Sequence, residues 1–453
     1  MSLLSRIEKS QKTTGGLSKG VRKRRGSTSK KGKDAFRGIK ERVQNKLISE
    51  LEPGQEIKAS DEMRRKMEDM FNTVLASESI ILSRTERQKM FEQVVAEILG
   101  FGPIEVLLQE EAISEIMVNG PKMVYVEKKG KLLLSDVTFD SNAHVMQVID
   151  RIVSPLGRRV DESSPLVDAR LPDGSRVNAI IPPLALDGPT LTIRKFEKDP
   201  LTIHNLVAFG SITPMGAEFL EAAVVGRANI VVAGGTGSGK TTLLNVSSNF
   251  IPDGERIITV ENAAELQIAK DHVVRLESRP PNIEGKGEIT INDLIINTLR
   301  MRPDRVVVGE CRGGEALAML QAMNTGHDGS LTTAHANTPR DTIARLETMC
   351  LMAGMDLPVS AIRKQIAGAV DLIIQQARLG DGSRRILNIT EIQGMEGDNV
   401  VLADIFVFNQ TAIENGKIKG EFVATGVVPN ILKRITDHGI DISPDFFRKG
   451  RTA

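Results

Sequence analysis

The sequence predicts an α/β protein whose larger part is a parallel sheet covered by helices. From Thr213 onward, short apolar segments with strand character alternate with segments of helical period, as in parallel sheets with helical crossovers. A glycine-rich string between one such strand and the next helix is the second indication. The predicted elements are helix 214–225, strand 229–233, helix 240–249, strand 256–260, helix 291–300, strand 305–309, helix 313–323 and strand 329–334.

A smaller α/β domain is predicted ahead of this part, over residues 105–196. Its apolar and polar residues alternate with a period of two, and turn-forming strings interrupt the alternation. The expected elements are one hairpin of strands 123–127 and 132–137, a helix over 143–153, and a second hairpin of strands 166–171 and 177–181.

A helical bundle is predicted over residues 34–104, and a linker that contains Pro200 over residues 197–204, before a domain that covers 205–453. Methionine stripes are more often core than binding groove, and nothing in the bundle suggests chemistry. The three apolar stripes at helical spacing are Phe36, Ile39, Val43 and Leu47; Met63, Met67, Met70 and Val74; and Phe91, Val94, Val95 and Ile98.

The charge of the chain is unevenly distributed. The formal net charge is +1, from 59 basic and 58 acidic residues, which argues against a wholly basic surface for nucleic acid. Residues 1–48 nevertheless hold fifteen basic and three acidic residues, a local charge of +12. Residues 1–33 also lack apolar periodicity and are predicted to be a disordered basic tail, either solubilising or docking.

Two further observations restrict the class of protein. No stretch approaches the roughly 18 uninterrupted apolar residues of a membrane span, so we expect a cytoplasmic protein. Only Cys311 and Cys350 are present and they lack CxxC spacing, which excludes a disulfide framework and a zinc ribbon.

The string GGTGSGKTT at 234–242 is the strongest functional signal, because it matches the phosphate-binding pattern GxxxxGK[ST] between an apolar strand and a helix. Glycines allow the backbone to aim N–H groups at phosphate oxygens, and the helix N-terminus adds its positive dipole end. Lys240 would neutralise β- and γ-phosphate charge, and the Thr241 hydroxyl would bind Mg²⁺. The predicted nucleotide-binding residues are Gly234, Gly235, Thr236, Gly237, Ser238, Gly239, Lys240, Thr241 and Thr242.

Candidate catalytic groups follow three other predicted strands. Glu310 ends the apolar run Val306–Gly309 and could orient or deprotonate the attacking water or hold the Mg²⁺ shell. Glu261 also follows an apolar strand, although an acid there could simply favour a helix N-terminus. His327 and His335 flank the strand at 330–333, and a polar contact to the γ-phosphate is the better functional interpretation of these histidines than a metal pair.

With these motifs in order, the chain resembles the type II/IV secretion ATPase superfamily, and within it the CpaF/TadA branch that powers tight-adherence (Tad) pili. The resemblance extends from about residue 60 to 410. It rests on GGTGSGKTT (234–242), ENAAEL (261–266), RPPNIEGKGEITI (279–291), LRMRPDRVVVGECRGGEA (299–316) and TGHDGSLTTAHAN (325–337).

This resemblance implies a cytoplasmic, ring-shaped homo-hexamer that hydrolyses ATP with Mg²⁺ at an inner-membrane pilus or secretion platform. It implies a RecA-like P-loop NTPase domain preceded by a smaller PAS-like α/β domain. The string at 234–242 would be Walker A, Glu261 would belong to the Asp box, Glu310 would be the catalytic acid of Walker B, and His327 and His335 would belong to the His box. Asn262 departs from the Glu-Asp of many relatives, which leaves open which acid acts.

The resemblance also implies that arginines of the smaller domain approach the nucleotide, with Arg170, Arg176 and Arg194 as candidates by position. Surface arginines on strands are the alternative interpretation. One rival function is a DNA-conjugation or competence ATPase, which the basic tail favours and the poverty in aromatic residues opposes, so we do not expect nucleic acid as a partner. The other rival is a nucleotide-binding switch or scaffold with little turnover. The tail itself could contact anionic lipid.

Overall fold

A computed structural model describes residues 61–77, 82–128, 130–196, 200–282 and 285–451, together with six residues between 38 and 46. The described residues form two compact units that divide after Phe196. The basic tail predicted over 1–33 lies outside the described residues. None of the helices in the described part of the chain is long and apolar enough to cross a membrane.

The first unit begins with helices whose apolar faces pack on each other. The described stripe residues Met63, Met67, Met70 and Val74 are buried, which confirms the core interpretation. The second helix starts at a capping box, because the Ser83 hydroxyl accepts the Glu86 N–H while the Glu86 carboxylate accepts the Ser83 N–H. The bounds are Asp61–Ser77 (α1), Arg84–Ile98 (α2), a 3₁₀ turn Gly102–Ile104 and Glu105–Gln109 (α3).

The rest of the first unit is an antiparallel sheet of six strands in the order β3-β2-β1-β6-β5-β4. Both predicted hairpins are confirmed, and the predicted helix is present with one buried face that packs in the core of the sheet. The two central strands, β1 and β6, did not emerge from the sequence. The bounds are Ile113–Asn119 (β1), Val124–Lys128 (β2), Lys131–Leu134 (β3), Asn142–Val153 (α4), a 3₁₀ turn Ser154–Leu156, Leu166–Arg170 (β4), Arg176–Ile180 (β5) and Thr190–Arg194 (β6).

The second unit contains a nine-stranded sheet in the order β15-β14-β13-β12-β7-β11-β10-β8-β9. The six strands from β12 to β9 are parallel, and β13, β14 and β15 extend the sheet antiparallel. The strand bounds are Ile230–Gly234 (β7), Ile257–Glu261 (β8), Val273–Glu277 (β9), Arg305–Cys311 (β10), Leu331–Ala334 (β11), Leu372–Arg378 (β12), Arg384–Glu396 (β13), Asn399–Glu414 (β14) and Lys417–Ala424 (β15).

Helices cover both faces of this sheet, because its parallel strands are apolar on both sides. The first helix of the unit starts at Ile203, where Thr202 caps it, so the linker predicted over 197–204 ends in helix. The bounds are Ile203–Ala208 (α5), Pro214–Val225 (α6), Lys240–Ser248 (α7), Ile291–Thr298 (α8), Glu315–Asn324 (α9), Pro339–Leu351 (α10), Val359–Ala369 (α11), Ile431–Asp437 (α12) and a 3₁₀ turn Pro444–Phe447. Together with the strand order, this α/β arrangement is the RecA-like core that the resemblance implies.

The amino-terminal edge of the parallel strands is built around a buried arginine. Arg305, the first residue of β10, is 0% exposed. Its guanidinium donates to the Glu255 carboxylate at 2.5 Å and to the carbonyl oxygens of Val224 and Gly329 at 2.9 and 3.2 Å. A buried guanidinium requires such partners, so this network stabilises the edge. The carboxyl-terminal edge, on the other side of the sheet, is therefore the one available for a ligand.

Candidate functional site

The glycine-rich loop connects β7 to the N-terminus of α7 at the carboxyl edge of the sheet. Gly237 and Gly239 have φ values of +70° and +96°, which side-chain-bearing residues rarely adopt. A Cβ atom at Gly234 would overlap the carbonyl oxygen of Gln376 on the neighbouring strand. Gly239 is the N-cap of α7 and supplies no side-chain cap, so the first N–H groups of the helix face the space inside the loop. The loop is therefore shaped to bind an anion.

Lys240 places its ammonium group inside this loop. The Nζ atom donates to the Gly235 carbonyl oxygen at 3.0 Å and lies 3.4 Å from Nδ1 of His335. Burial lowers the pKa of Lys240, and the neighbouring Glu310 carboxylate partly opposes that shift. A phosphate group at the loop would supply the negative charge that this buried lysine favours.

Glu310 and His335 continue the chain of polar contacts from Lys240. Oε1 of Glu310 lies 2.8 Å from Nε2 of His335, and Oε2 accepts from Nε and Nη2 of Arg312 at 2.8 and 2.6 Å. With the proton on Nε2, the Nδ1 atom of a neutral His335 can accept from Lys240. Oε1 of Glu310 meets Nε2 at ion-pair distance but has no hydrogen-bond partner among the described residues. Burial lowers the pKa of His335, and the Lys240 charge lowers it further. His335 therefore connects the phosphate loop to the candidate catalytic acid.

Glu261 lies at the end of β8, which pairs with β10, and is 3% exposed. Its Oε2 accepts the backbone N–H groups of Glu265 and Leu266 at 2.8 and 3.1 Å. A Cβ atom at Gly309 would lie 2.9 Å from Cγ of Glu261, so the glycine before Glu310 makes room for this second acid. The Asn262 amide oxygen instead accepts from the Ser278 hydroxyl at 3.0 Å. Of the two Asp-box positions, Glu261 is the one packed against the end of β10.

The residues at this edge also fit Mg²⁺ bound together with a nucleotide. Hydroxyl and carboxylate oxygens are the ligands that Mg²⁺ prefers, and Thr241 supplies a hydroxyl at the N-terminus of α7 while Glu261 supplies a carboxylate at the end of β8. Within the described ranges, no group of three or more His, Cys, Asp or Glu side chains could hold a metal alone. The fit is therefore to an ion that takes further ligands from phosphate and water.

His327 lies apart from this cluster, and its contact with the γ-phosphate stays a prediction. It precedes β11, and its carbonyl oxygen accepts from the Ser330 hydroxyl at 2.7 Å on the amino edge of the sheet, near Asn229. His335 follows the same strand. Four strand residues at about 3.3 Å each place the two histidines roughly 13 Å apart or more, on opposite edges of the sheet.

The three predicted arginines lie in the first unit and form one row. Arg170 is directly opposite Arg176, which is directly opposite Arg194, across β4, β5 and β6. Directly opposed residues point to the same face, here the face away from the core. Nε of Arg194 is 3.7 Å from the Glu115 carboxylate on β1. The row is a compact basic strip, and its approach to a nucleotide stays a prediction.

Sequence reasoning missed three residues that contact this site. Arg312 binds Glu310, Gln376 packs on the loop glycines, and Nε of Arg384 donates to the Gly237 carbonyl oxygen at 3.0 Å. The position of Arg312 two residues after Glu310 was a usable signal. Gln376 and Arg384 lie more than 130 residues beyond the loop, so only the strand order brings them to it.

The contacts of His335 predict how it titrates in the nucleotide-free protein. We expect its pKa to be below the ordinary 6.5, higher in Lys240→Ala than in the wild type, and lower still in Glu310→Gln. Because the folded-state pKa is lowered, the unfolded chain binds more protons, and the free energy of unfolding should fall as the pH decreases below about 6.5. NMR titration of the histidine ring resonances measures the pKa of His335 in the wild type and in both variants, and His335→Gln assigns the resonance. Identical titration in the two variants would contradict the contact chain.

A phosphate-binding loop facing strand-end acids on a RecA-like sheet defines a P-loop nucleotide-binding protein. The family model described as "Type II/IV secretion system protein" matches residues 97–394, and that of the "Type II secretion system protein E, N-terminal domain" matches 36–99. The chain belongs to the type II/IV secretion system protein family.

Similar proteins include one from Mycobacterium tuberculosis whose name assigns it to conjugal transfer, with 36% identity over 70% of this chain and 91% of the relative. The conjugal transfer protein TrbB of Rhizobium radiobacter is 33% identical, over 65% and 88%. Among solved structures, the VirB11 ATPase of the Brucella suis type IV secretion system is 28% identical over 63% and 94%, with a TM-score of 0.35. The Legionella pneumophila ATPase DotB is 23% identical over 62% and 77%, with a TM-score of 0.44.

Proposed function

We propose that this protein is a Mg²⁺-dependent ATP hydrolase that powers a type II/IV secretion-type machine, specifically the assembly of a Tad pilus. The observation that carries the proposal is the continuous contact chain from Lys240 in the phosphate loop through His335 to Glu310. The family supports the secretion role, and the resemblance of the motif strings to the CpaF/TadA branch supports the pilus.

The residues divide the chemistry between them. The backbone N–H groups of the loop and Lys240 would bind the phosphates, and Thr241 would hold Mg²⁺, which when bound neutralises β- and γ-phosphate charge. Glu310 would accept a proton from, or orient, the attacking water. His335 lies between these two groups, because it contacts Lys240 on the phosphate side and Glu310 on the side of the attacking water.

In the proposed assembly, six copies form a ring on the cytoplasmic side of the inner membrane. The arginine row formed by Arg170, Arg176 and Arg194 would approach the nucleotide and stabilise charge on the transferring phosphoryl group. Loss of the γ-phosphate would then change the position of the two units, which is the motor step. The basic residues of the tail would contact anionic lipid or an acidic platform protein.

Removal of the loop lysine is the direct test of nucleotide chemistry. We expect Lys240→Ala to reduce ATP turnover by at least about 100-fold, because the phosphate charge loses its buried counter-ion. Phosphate release from the purified full-length protein measures it. Lys433→Ala, which removes an exposed lysine on α12, is the matched control and should retain wild-type turnover. Unaltered activity of Lys240→Ala would overturn the assignment of the loop.

A DNA-conjugation ATPase is the second candidate, and the conjugal transfer names of the relatives favour it. The distinction is whether nucleic acid stimulates turnover. A motor for a protein pilus should hydrolyse ATP at the same rate with and without single- or double-stranded DNA. Stimulation by DNA that is lost at high salt would support conjugation instead. Binding of ATP without sustained phosphate release would identify a switch.

A further inference from the structure

A second part of the nucleotide site lies on strands β12 and β13. We propose that Arg384, which lies with Gln376 beside Gly239, binds the phosphates on the nucleoside side of the loop. The inference rests on the proposed nucleotide-binding function and deepens it. It adds a cationic ligand for a nucleoside di- or triphosphate that lies outside the phosphate-binding motif.

The strand order sets the direction in which the nucleotide lies. The loop follows β7, and the acids and histidine that would serve the γ-phosphate follow strands on one side of it, namely β11, β10 and β8. A phosphate chain whose γ end faces that side extends its α end toward the other side of β7. There the neighbours are β12 and then β13. The nucleoside half should therefore lie above the carboxyl end of β12 and the start of β13.

Gln376 occupies that position on β12 and is 3% exposed. Its carbonyl oxygen is packed against Gly234, and its Nε2 lies 3.2 Å from where a Cβ of Gly239 would be. Its Oε1 is buried and has no hydrogen-bond partner among the described residues. A buried amide oxygen without a partner costs free energy, which indicates that it accepts from a group absent here or from a nearby donor after a small rearrangement.

Arg384 is that nearby cation, at the first position of β13. Its Nε donates to the Gly237 carbonyl oxygen at 3.0 Å, and its Cδ lies 3.3 Å from the Cβ position of Gly239. This hydrogen bond holds the aliphatic part of the exposed Arg384 side chain along the loop. No ion pair joins it to a carboxylate within the described ranges. Its guanidinium is thus a positive charge beside an anion-binding loop.

Other arginines of the same unit are paired with carboxylates, in contrast to Arg384. Arg305 binds Glu255, Arg312 binds Glu310, and Arg363 binds Glu347. Each of these has a carboxylate as counter-ion, whereas Arg384 contacts a carbonyl oxygen through one nitrogen. A guanidinium with free N–H groups fits two phosphate oxygens at once. A diphosphate in the loop is the counter-ion that the geometry provides for Arg384.

The test is ADP affinity, measured by calorimetry on the full-length protein. We expect Arg384→Gln to weaken ADP binding about tenfold, Arg384→Lys to retain most of the affinity through its charge, and the exposed control Arg448→Gln to bind as wild type. Gln376→Leu should also weaken ADP binding.

The outcomes separate this inference from the proposed function. If the wild type binds no ADP, the nucleotide function itself fails. If the wild type binds and Arg384→Gln binds equally well, Arg384 is no ligand and the inference is overturned. A matching fall in the nucleotide-free melting temperature of both Arg384 variants would also overturn it, because the residue would then only brace the loop. A loss confined to the Gln variant, at unchanged melting temperature, supports it.

Discussion

Glu310→Gln should abolish ATP turnover while ATP binding persists. The substitution keeps the size of the side chain but removes its negative charge. The amide can neither accept a proton from the attacking water nor orient that water as a carboxylate would. General-base catalysis of this kind contributes about 10² to 10⁴-fold, and we expect a loss of turnover in that range. Binding should survive because the loop backbone and Lys240 still bind the phosphates.

Two measurements establish this result. Phosphate release measures turnover, and calorimetry with a non-hydrolysable ATP analogue measures binding. Glu396→Gln, an exposed glutamate at the far end of β13, carries the same change of charge and should be unaffected in both. Near-normal turnover of Glu310→Gln would remove Glu310 from the catalytic role and make Glu261 the candidate base.

Gly329→Ala should be the most destabilising small substitution in the second unit. Gly329 has φ +83°, and a Cβ atom there would overlap the buried guanidinium of Arg305. The backbone conformation alone costs about 1–2 kcal/mol for a residue with a side chain. Displacing a buried charge from Glu255 and two carbonyl oxygens adds about 3–5 kcal/mol. Since domains are stable by about 5–15 kcal/mol, we expect a large loss of soluble protein.

A matched glycine separates steric overlap from backbone strain. Gly326 has φ +91°, and a Cβ atom there would have no neighbour within 4 Å. Gly326→Ala should therefore lose only about 1–2 kcal/mol. Urea denaturation compares the two free energies of unfolding, and soluble yield is the measure if Gly329→Ala does not fold. Equal losses in both variants would show that the Arg305 network contributes little.

Local patterns were sufficient to predict the phosphate loop and most of its strands. A strand, a glycine string and a helix follow each other within about twenty residues, so no long-range contact is needed to identify them. Glu310 could be predicted from the sequence for the same reason, because it directly follows an apolar run. The glycine before it, Gly309, leaves the space that the Glu261 side chain occupies.

The side-chain positions that the sequence did not predict depend on which strands pair in the sheet. The proximity of His327 and His335 in one string suggested a common role, yet a four-residue strand between them separates the two edges of the sheet. Conversely, Arg170, Arg176 and Arg194 are spread over 25 positions and are aligned only by antiparallel register. Periodicity along the chain carries no information about such alignment.

Strand β12 connects the phosphate loop to the helix α12. At its start, the Asp371 carboxylate accepts the Asn229 N–H at 2.7 Å and pairs with Arg434 of α12. Near its end, Gln376 packs on the phosphate loop. This seven-residue strand spans roughly 23 Å, with its contacts to the phosphate loop near one end and its contacts to α12 at the other. We therefore expect movement of the phosphate loop to reach the ion pair of Asp371 and Arg434 through this strand.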